Sequence, residues 1–539
     1  MSEKEYGQEE RGSDVISLTA GEKTARPLFA LLRDRGIEID QPCGGNGTCG
    51  NCRVKFLEGA PEITPEDRRW FSGEELEDGW RLACRARVRG NCRVMVPKER
   101  GKQIVSAVDF RKPKTEKEET DRKERRNPAR QNGGYGLAVD IGTTTLAAAL
   151  IALPEGKQLA AATCVNSQRV YGADVLSRIL QANGGALADM REIVRRDLKS
   201  LASDICRDAG ISEEQIAETV IAGNTTMQHI FAGESCAGLG QAPFAPGDIS
   251  LRHFSEEDRD VVLLPGISAF VGADVVAGIY ALGITEREEP ALFLDLGTNG
   301  EMALWDGRRL YTASTAAGPA FEGGKLKNGA ASVPGAICGV RRERGRILPE
   351  TIGDQRPVGI CGTGAVSALC LLLEEGMLDR DGTMEEPYFS QGFPLWILSQ
   401  RERICLYQED VRELQMAKSA ICSGVEILME EAALEADQIA AVYLAGGMGC
   451  ALDSGEAEHI GLLPAGLSKK CQGVGNGAIG GGLRYLRERC AAGNERERER
   501  EAVDGKLREV VKLAVPVTLA DHEKFQDKFL NNLSFPERS

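Results

Sequence analysis

Four cysteines in the N-terminal part of the chain have the spacing of a metal centre. Cys43, Cys49 and Cys52 lie within the segment QPCGGNGTCGNC, and Cys84 follows in WRLACRARV, giving C-x5-C-x2-C-x31-C. Glycines in such a loop permit positive φ angles and let backbone N–H groups turn toward sulfur, as anionic iron–sulfur clusters require. The pattern therefore predicts a [2Fe–2S] cluster held by these four thiolates.

Zinc and a disulfide are the alternatives for these thiols. Structural zinc sites usually use two C-x2–4-C pairs, but Cys84 stands alone. Cys92 alternates with Val94 and Val96, which predicts a core position in a strand rather than a ligand. Residues 13–98 resemble the ferredoxins with C-x5-C-x2-C spacing, such as adrenodoxin. The resemblance implies a one-electron carrier.

A second kind of motif, unrelated to the cysteines, begins after residue 134 and occurs twice. GLAVDIGTTTLAAALIAL and PALFLDLGTNGEMALWDG both read as strand, tight turn and strand, with Asp140 and Asp295 in equivalent places. Gly and Thr in such turns direct N–H and hydroxyl groups at phosphate oxygens. The two aspartates can hold Mg²⁺ through water, because Mg²⁺ prefers one or two carboxylates plus phosphate. One copy alone would be weak evidence, whereas two copies flanked by apolar strands predict an ATP site between two similar α/β halves.

A third glycine-rich element supports the ATP site. IAAVYLAGGMG is an apolar strand that runs into Gly446-Gly447, where small residues let a flat base approach the backbone. The alternative is that these glycines merely close tight turns. The order of the three elements, over residues 134–485, resembles the acetate and sugar kinase, Hsp70 and actin superfamily. That resemblance implies a duplicated RNase H-like ATPase core.

Two carboxylates are candidates for the catalytic base. The segment PGISAFVGADVVAGIYALG resembles the part of sugar kinases that supplies a catalytic aspartate, which places Asp274 in that role. Glu301, at the end of DLGTNGE, could instead orient water at the γ-phosphate. A helix N-cap is the alternative for Asp274, and the same role is predicted for Asp174. His229 is interpreted as structural.

The surrounding elements divide the chain into a small and a large part. The sequence predicts a helix at RPLFALLRDRG, strands at 53–57 and 92–96, and a helix after Thr64-Pro65. We expect a [2Fe–2S] ferredoxin domain of the α+β, β-grasp type over residues 1–98 and a charged linker over 99–133. An ATPase core over 134–490 and a charged segment with a strand-then-helix extension over 491–539 complete an α/β multidomain chain.

Composition limits the function classes. The chain has 539 residues, a formal net charge of −15 and 42% hydrophobic residues. Such an acidic protein argues against a nucleic-acid partner, since phosphate binding needs a basic surface. No apolar run of membrane-spanning length is present in the sequence, so no membrane partner is expected. Sixteen cysteines without an export signal indicate a reducing compartment, and we expect the cytoplasm.

The combination of parts resembles one family, the reductive activators of corrinoid proteins. It rests on the ferredoxin spacing, the linker, DIGTTT, AGNTTM, DLGTNGE and LAGGMG. The resemblance implies that Cys43, Cys49, Cys52 and Cys84 hold the cluster and that Asp140 and Asp295 hold Mg²⁺. It further implies ATP binding by Asp140, Gly142, Thr143, Thr144, Thr145, Asn224, Asp295, Gly297, Thr298, Asn299, Gly300, Gly446 and Gly447.

The function that this family implies is the ATP-dependent reduction of Co(II) to Co(I) in a corrinoid protein of a methyltransferase system. This reduction would need a low-potential electron donor upstream, and the chain could form a homodimer. Two other enzymes are alternatives: a sugar-type kinase with a fused ferredoxin and an activator of a 2-hydroxyacyl-CoA dehydratase. An Hsp70-like binder or redox sensor is a third, non-enzymatic alternative.

Overall fold

The computed structural model describes residues 13–19, 25–33, 35, 37, 39, 52–97, 134–153, 156–256, 259–397, 403–449, 451–491 and 496–537. The predicted linker over 99–133 lies outside these residues, as do Cys43 and Cys49. The chain divides into two compact units. One comprises residues 1–102, 165–198 and 229–247, and the other comprises residues 103–164, 199–228 and 248–539.

The N-terminal domain is a small α+β fold in the first unit. Its elements are β1 (Ser13–Thr19), β2 (Arg26–Pro27), α1 (Leu28–Arg33), β3 (Arg53–Glu58), α2 (Asp67–Trp70), α3 (Gly73–Glu77), β4 (Trp80–Leu82), β5 (Arg87–Val88) and β6 (Asn91–Pro97). Four strands form one sheet in the order β1-β6-β3-β4. The predicted strands correspond to β3 and β6, and the predicted first helix is α1. Cys92 is 2% exposed in the domain core, as its alternation with valines predicts.

The predicted helix after Thr64-Pro65 begins slightly later, at Asp67. Thr64 Oγ1 accepts a hydrogen bond from the Asp67 N–H at 3.2 Å, and Asp67 Oδ2 accepts one from the Thr64 N–H at 2.8 Å. This reciprocal pair stabilises the turn that leads into the helix. The same buried carboxylate also accepts a 2.8 Å hydrogen bond from the Leu82 N–H, so it fixes the end of β4.

The remaining segments of the first unit contain helices joined by loops. They include α4 (Val175–Gln181) and the first half of α5 (Leu187–Ala209). Asp174 caps α4 by accepting a 2.8 Å hydrogen bond from the Ser177 N–H, which confirms the predicted cap. Near the end of this unit, the buried His229 accepts a 2.9 Å hydrogen bond at Nε2 from the Gly247 N–H.

The second unit contains the first half of the duplicated core. Its elements are β7 (Tyr135–Ile141), β8 (Thr145–Ala152), β9 (Lys157–Val165), β10 (Ile216–Gly223), α6 (Thr225–Ala232), β11 (Arg252–Glu256), β12 (Arg259–Leu263) and α7 (Ala273–Leu282). The six strands form one sheet in the order β11-β12-β10-β7-β8-β9. The central strand β7 pairs antiparallel with β8 and parallel with β10.

The second half repeats this arrangement. Its elements are β13 (Ala291–Leu296), β14 (Gly300–Trp305), β15 (Leu310–Thr315), β16 (Ala336–Glu343), β17 (Arg346–Thr351), β18 (Gly359–Ile360), α8 (Gly362–Glu374), α9 (Tyr388–Gln391), β19 (Phe393–Ile397), β20 (Arg403–Leu406), α10 (Gln408–Glu431), β21 (Ala441–Ala445), α11 (Gly446–Gly449), α12 (Ser454–His459), β22 (Cys471–Gly475), α13 (Gly477–Ala491), α14 (Arg496–Leu513), β23 (Ala514–Pro516) and α15 (Phe525–Asn531). The large sheet has the order β22-β21-β13-β14-β15-β23, and β13 pairs antiparallel with β14 and parallel with β21. The predicted duplication is therefore present in strand order as well as in sequence.

Helices α7 and α13, one from each half, pack closely through glycines. A Cβ atom at Gly481 would lie 2.4 Å from the Ala277 carbonyl oxygen, and one at Gly477 would lie 3.1 Å from the α-carbon of Gly278. A side chain at either position would force the two helices apart, so glycine permits a backbone-to-backbone approach.

The C-terminal extension differs in detail from the prediction. From Arg496 onward, the charged segment and the VVKL stretch both belong to α14, which ends at Leu513, so the predicted strand is limited to β23. Helix α15 follows as predicted. Val503, Leu507 and Val510 bury one face of α14 in the core, and this packing explains why the helix continues through VVKL. Among the described helices, none combines the length and apolar character needed to cross a bilayer.

Candidate functional site

The structure describes two of the four predicted cluster ligands, and both lie at one end of the β3–β4 pair. Cys52 comes directly before β3 and is 1% exposed, while the half-buried Cys84 follows β4. The Ala83 N–H donates a 2.8 Å hydrogen bond to the Cys52 carbonyl, which aligns the two segments. Iron–sulfur clusters are held by cysteine thiolates, so the adjacent placement of Cys52 and Cys84 suits the predicted role.

The first phosphate turn joins β7 to β8 and contains Gly142 to Thr145. The Gly142 N–H donates a 3.1 Å hydrogen bond to the Thr145 carbonyl, and a Cβ atom at Gly142 would lie 2.4 Å from that oxygen. Only glycine fits this close turn. The Asn224 side chain donates a 2.9 Å hydrogen bond to Thr143 Oγ1, while its own oxygen accepts from the Met227 N–H at 3.0 Å. Asn224 therefore both caps α6 and holds the first phosphate turn in place.

The second phosphate turn joins β13 to β14 and repeats this design. The Gly297 N–H donates a 3.0 Å hydrogen bond to the Asn299 carbonyl. The Asn299 side chain forms a hydrogen bond with Glu301. Gly300 packs closely against Ile421, because a Cβ atom at this position would lie 2.9 Å from the Ile421 side chain. The two turns thus present hydroxyl and N–H groups from equivalent positions of the two halves.

Carboxylates from both halves come together beside these turns. Burial raises the pKa of Asp140 to about 7, with the charge of Asp274 adding to the shift and a hydrogen bond from Asn476 opposing it. Burial raises the pKa of Asp295 to about 8, and the charges of Asp274, Asp140 and Glu322 raise it further. Each aspartate keeps part of its surface accessible, so a ligand can reach it. The two predicted magnesium ligands are thus close enough for their charges to interact.

The two candidate bases belong to the same cluster. Burial raises the pKa of Asp274 to about 6, while hydrogen bonds from the Asp274 and Val275 backbone N–H groups oppose the shift. The pKa of Glu301 is raised well above its usual range by burial and by the charges of Asp274 and Asp295. Asp274 lies one residue inside α7, whose N-cap is Gly272, so the N-cap alternative for Asp274 is wrong.

The predicted adenosine-side turn also reaches this cluster. Gly446 adopts a φ of +84°, and a Cβ atom there would lie 2.7 Å from Asp295 Oδ1. Among the residues that the structure describes, none would lie within 4 Å of a methyl group at Gly447, which leaves room for a ligand against the backbone. The structure therefore brings Gly446 next to the predicted magnesium ligand, although the two residues are far apart in sequence.

Sequence reasoning missed two residues of the site. Glu322 accepts a 2.7 Å hydrogen bond from the Thr298 hydroxyl and a 3.5 Å one from the Thr144 hydroxyl. Asn476 caps α13 through the Ile479 N–H at 2.8 Å and donates a 2.8 Å hydrogen bond to Asp140 Oδ2. The sequence signal that could have identified Asn476 is an Asn between a strand and a helix, as at Asn224. The signal for Glu322 is an acidic residue within the glycine-rich segment GPAFEGG.

The donor set of this site suits a nucleotide with a hard divalent cation. Mg²⁺ prefers oxygen ligands and keeps several waters, and the buried carboxylates of Asp140, Asp295 and Glu322 supply such oxygens. Their raised pKa values reflect burial and mutual repulsion, and a bound cation would lower them. The residues present therefore fit MgATP.

Family models match the chain from near its start to its end. The model described as a 2Fe-2S iron-sulfur cluster binding domain matches residues 18–89, the RACo middle region matches 135–287, and the C-terminal domain of RACo, the ASKHA domain, matches 289–539. The corrinoid activation enzyme RamQ of Eubacterium limosum is 32% identical over 430 residues, which cover 74% of this chain and 70% of that protein. The chain belongs to the reductive activators of corrinoid proteins.

Two further relatives of this activator family agree. A [Co(II) methylated amine-specific corrinoid protein] reductase of Methanosarcina barkeri is 25% identical over 450 residues, covering 74% of this chain and 77% of that protein. A solved structure of a reductive activator for corrinoid, iron-sulfur protein matches with a TM-score of 0.68 and 26% identity, covering 96% of this chain and 97% of that one.

These similarities confirm the predicted fold class, the [2Fe–2S] ferredoxin domain and the ATPase domain of this activator. The [2Fe–2S] prediction therefore replaces the zinc alternative for the N-terminal cysteines. The particular residues assigned to the cluster, to ATP and to catalysis stay predictions, supported by the geometry above.

Proposed function

We propose that this activator restores Co(I) in the corrinoid protein of a methyltransferase system. It would deliver one electron through its [2Fe–2S] domain and use ATP hydrolysis to drive the transfer. Corrinoid methyltransfer needs Co(I) as a nucleophile, and adventitious oxidation to Co(II) stops it. The observation that supports this role most strongly is one chain with both a ferredoxin domain and a carboxylate cluster shared by two facing phosphate turns.

The energetic need for ATP follows from the electron potential. Each 100 mV of deficit for one electron corresponds to about 2.3 kcal/mol. Reducing Co(II) requires a lower potential than an ordinary ferredoxin supplies, so the transfer runs uphill. A nucleotide that binds one conformation of the ATPase more tightly shifts the population toward it. ATP would thereby favour a complex in which the cobalt is easier to reduce.

The two phosphate turns would hold the triphosphate between the halves. Backbone N–H and hydroxyl groups of Thr143 to Thr145 and of Thr298 would contact phosphate oxygens, and Gly446-Gly447 would lie against the adenosine. A bound Mg²⁺ supplies positive charge at the phosphates, and Asp140 and Asp295 would hold it through water. Asn224 and Asn476 would keep the turn and the first aspartate in place through the hydrogen bonds described above.

Asp274 and Glu301 are the two groups that would act on the attacking water. Hydrolysis joins the water oxygen to the γ-phosphorus, breaks the bond to the β-γ bridging oxygen and releases one proton. A carboxylate with a raised pKa can accept that proton near neutral pH, and both groups have raised pKa values. Glu301 shares its half with Asp295, whereas Asp274 comes from the opposite half.

The partners follow from this chemistry. The electron acceptor is the cobalt of a separate corrinoid protein, and an upstream low-potential donor would reload the ferredoxin domain. The cysteine-rich composition favours a reducing compartment, and we propose the cytoplasm. A homodimer would be compatible with this scheme, and sedimentation of the purified protein would measure it.

The decisive experiment follows Co(I) absorbance of a Co(II) corrinoid protein mixed with the reduced activator. Three samples contain MgATP, no nucleotide or a non-hydrolysable analogue, and Co(I) is expected to accumulate only with MgATP. Asp295→Asn is expected to abolish Co(I) formation while retaining the [2Fe–2S] spectrum, because the changed residue lies in the other unit.

Two outcomes would overturn the proposal. Equal Co(I) accumulation in all three samples would mean that ATP is not the energy source. Phosphorylation of a sugar or small alcohol, with no response to any corrinoid protein, would favour the kinase alternative. Asp306→Asn is a suitable control, because its carboxylate accepts hydrogen bonds within the exposed turn between β14 and β15.

A further inference from the structure

A thiol, a carboxylate and an imidazole meet where α8 and α12 pack together in the second half of the core. Cys370 and Glu374 lie four residues apart on α8 and therefore share one face of that helix. His459 is the last residue of α12. One ligand atom from each of the three side chains lies within 4.8 Å of the other two.

The surroundings hold the two helices in this arrangement. The Ser367 hydroxyl on α8 donates a 2.8 Å hydrogen bond to Glu456 Oε1 on α12, one turn before His459. The Cys370 thiol is buried, at 6% exposure, and its sulfur donates a 3.7 Å hydrogen bond to Glu374 Oε1. Glu374 itself is exposed, so its carboxylate can rotate toward a cation without disturbing the core.

The charges around the thiol favour a cation. Burial raises the pKa of Cys370 to about 12, and the carboxylates of Glu374, Glu456 and Asp453 add to the shift. A thiol in this setting stays protonated by itself. A divalent metal supplies the missing positive charge and converts a coordinating thiol to thiolate.

We propose that Cys370, Glu374 and His459 bind one Zn²⁺. Zinc accepts sulfur, nitrogen and oxygen ligands with bond lengths of about 2.0–2.3 Å, and three protein ligands with one water complete a tetrahedron. Ligand atoms of such a tetrahedron lie about 3.3–3.8 Å apart. The three groups reach that separation if they move together by roughly 1 Å, chiefly through rotation of the exposed Glu374 side chain.

This site would be distinct in chemistry from the nucleotide site. Thiolate and imidazole ligands select Zn²⁺, whereas Mg²⁺ prefers carboxylate, phosphate and water oxygens. Helix α8 begins at the Gly362-Thr363-Gly364 turn, and α12 follows shortly after the Gly446–Gly449 segment. A bound Zn²⁺ would therefore link α8, which begins at a glycine-rich turn, to α12, which follows a glycine-rich segment.

The experiment measures zinc and iron together in the full-length protein with its iron–sulfur cluster intact. After equilibration with Zn²⁺ and removal of excess metal, we expect one zinc per chain in the native protein. Cys370→Ser and His459→Gln are expected to lose it, with unchanged iron content and an unchanged melting temperature in metal-free buffer. Cys471→Ser is the matched control, because this half-buried thiol lies beside Glu458 and should have no effect.

Cobalt provides a second measurement that does not depend on stoichiometry. Titration with Co²⁺ is expected to produce a thiolate-to-cobalt absorption band in the difference spectrum, and Cys370→Ser should remove that band. Glu374→Gln is expected to weaken Zn²⁺ binding by 10-fold or more while leaving the fold intact. Absence of zinc in the native protein, or equal zinc in the Cys370→Ser and native proteins, would overturn the proposal.

Discussion

The Thr298 hydroxyl lies 2.7 Å from Glu322 Oε2 and donates a hydrogen bond to it, while the Thr144 hydroxyl approaches the same oxygen at 3.5 Å. One carboxylate thus contacts the phosphate turns of both halves. If ATP binds as proposed, its phosphates would take over these hydroxyl donors, and Glu322 would then change hydrogen-bond partners.

We predict that Glu322→Gln lowers ATP hydrolysis by roughly 10- to 100-fold, the range typical of groups that orient metal ligands. The amide keeps the shape but loses a negative charge that raises the pKa of Asp295. The pKa of Asp295 should therefore fall in the variant, as a pH titration of Mg²⁺ binding would show. Glu350→Gln, on the exposed strand β17, is the control, and an equal loss of activity there would contradict this role.

MgATP binding should strengthen as the pH rises from about 6 to about 8. In the free protein the pKa values of Asp274, Asp140 and Asp295 are raised to about 6, 7 and 8, so these groups bind protons near neutral pH. A cation favours their ionised forms, so binding releases protons. Calorimetry in buffers of different ionisation enthalpy measures that release; a pH-independent affinity without proton release would contradict the prediction.

Asn476→Ala should affect both stability and the first magnesium ligand. The variant loses the cap of α13, which typically costs about 0.5–2 kcal/mol of stability. It also loses the hydrogen bond that opposes the raised pKa of Asp140, so that pKa should rise and Mg²⁺ binding at neutral pH should weaken. Asp174→Ala removes a comparable cap from α4 and should destabilise the protein without changing Mg²⁺ affinity. Equal Mg²⁺ affinities in the native protein and Asn476→Ala would count against the pairing with Asp140.

The iron–sulfur centre offers a test based on burial. Cys84→Ser should abolish the [2Fe–2S] absorption, because a predicted ligand is lost. Cys92→Ser should retain the cluster and lower only the stability, since Cys92 lies in the core and burial raises its pKa. Iron and sulfide analysis of both variants measures this. A cluster that survives in Cys84→Ser would remove Cys84 from the ligand set.

Lys418 should anchor the C-terminal tail. Its buried ammonium donates hydrogen bonds to the carbonyls of Asn532 at 2.5 Å and Ser534 at 2.9 Å, and lies 4.9 Å from the centre of the Phe535 ring. Lys418→Met would leave these carbonyls without the donor, at about 1–3 kcal/mol for a buried unsatisfied group. Limited proteolysis should then cleave the tail faster than in Lys524→Met, whose lysine is exposed and paired with Glu430. Equal cleavage rates would show that the tail is held elsewhere.

The sequence predicts the architecture well because local pattern and topology agree. The apolar strands on either side of Asp140 and Asp295 predict a duplicated core, and the central strands of the two sheets follow the same order. The residues that sequence reasoning missed are of another kind. Glu322 and Asn476 act through contacts with residues far away in the chain, 178 positions from Thr144 in one case and 336 from Asp140 in the other. Spacing along a sequence carries no record of such pairs.

The C-terminal end shows the same limit. The stretch that begins at VVKL reads as a strand, yet tertiary packing extends α14 to Leu513. Similarly, Asp274 reads equally well as a cap or as a base. In the structure Asp274 lies one residue inside α7. The charges beside it, those of Asp295 and Glu301, come from the opposite half of the core, which local sequence does not reveal.

The glycine contact between α7 and α13 has a mechanical consequence. Side chains add to this contact, because the Tyr280 hydroxyl on α7 donates a 2.8 Å hydrogen bond to Glu488 Oε2 on α13 and the Arg484 guanidinium lies 4.4 Å from the centre of the Tyr280 ring. Along the chain, α7 follows β12 and α13 follows β22. Because the crossing joins one helix from each half, a displacement of either helix is transmitted to the other half of the core.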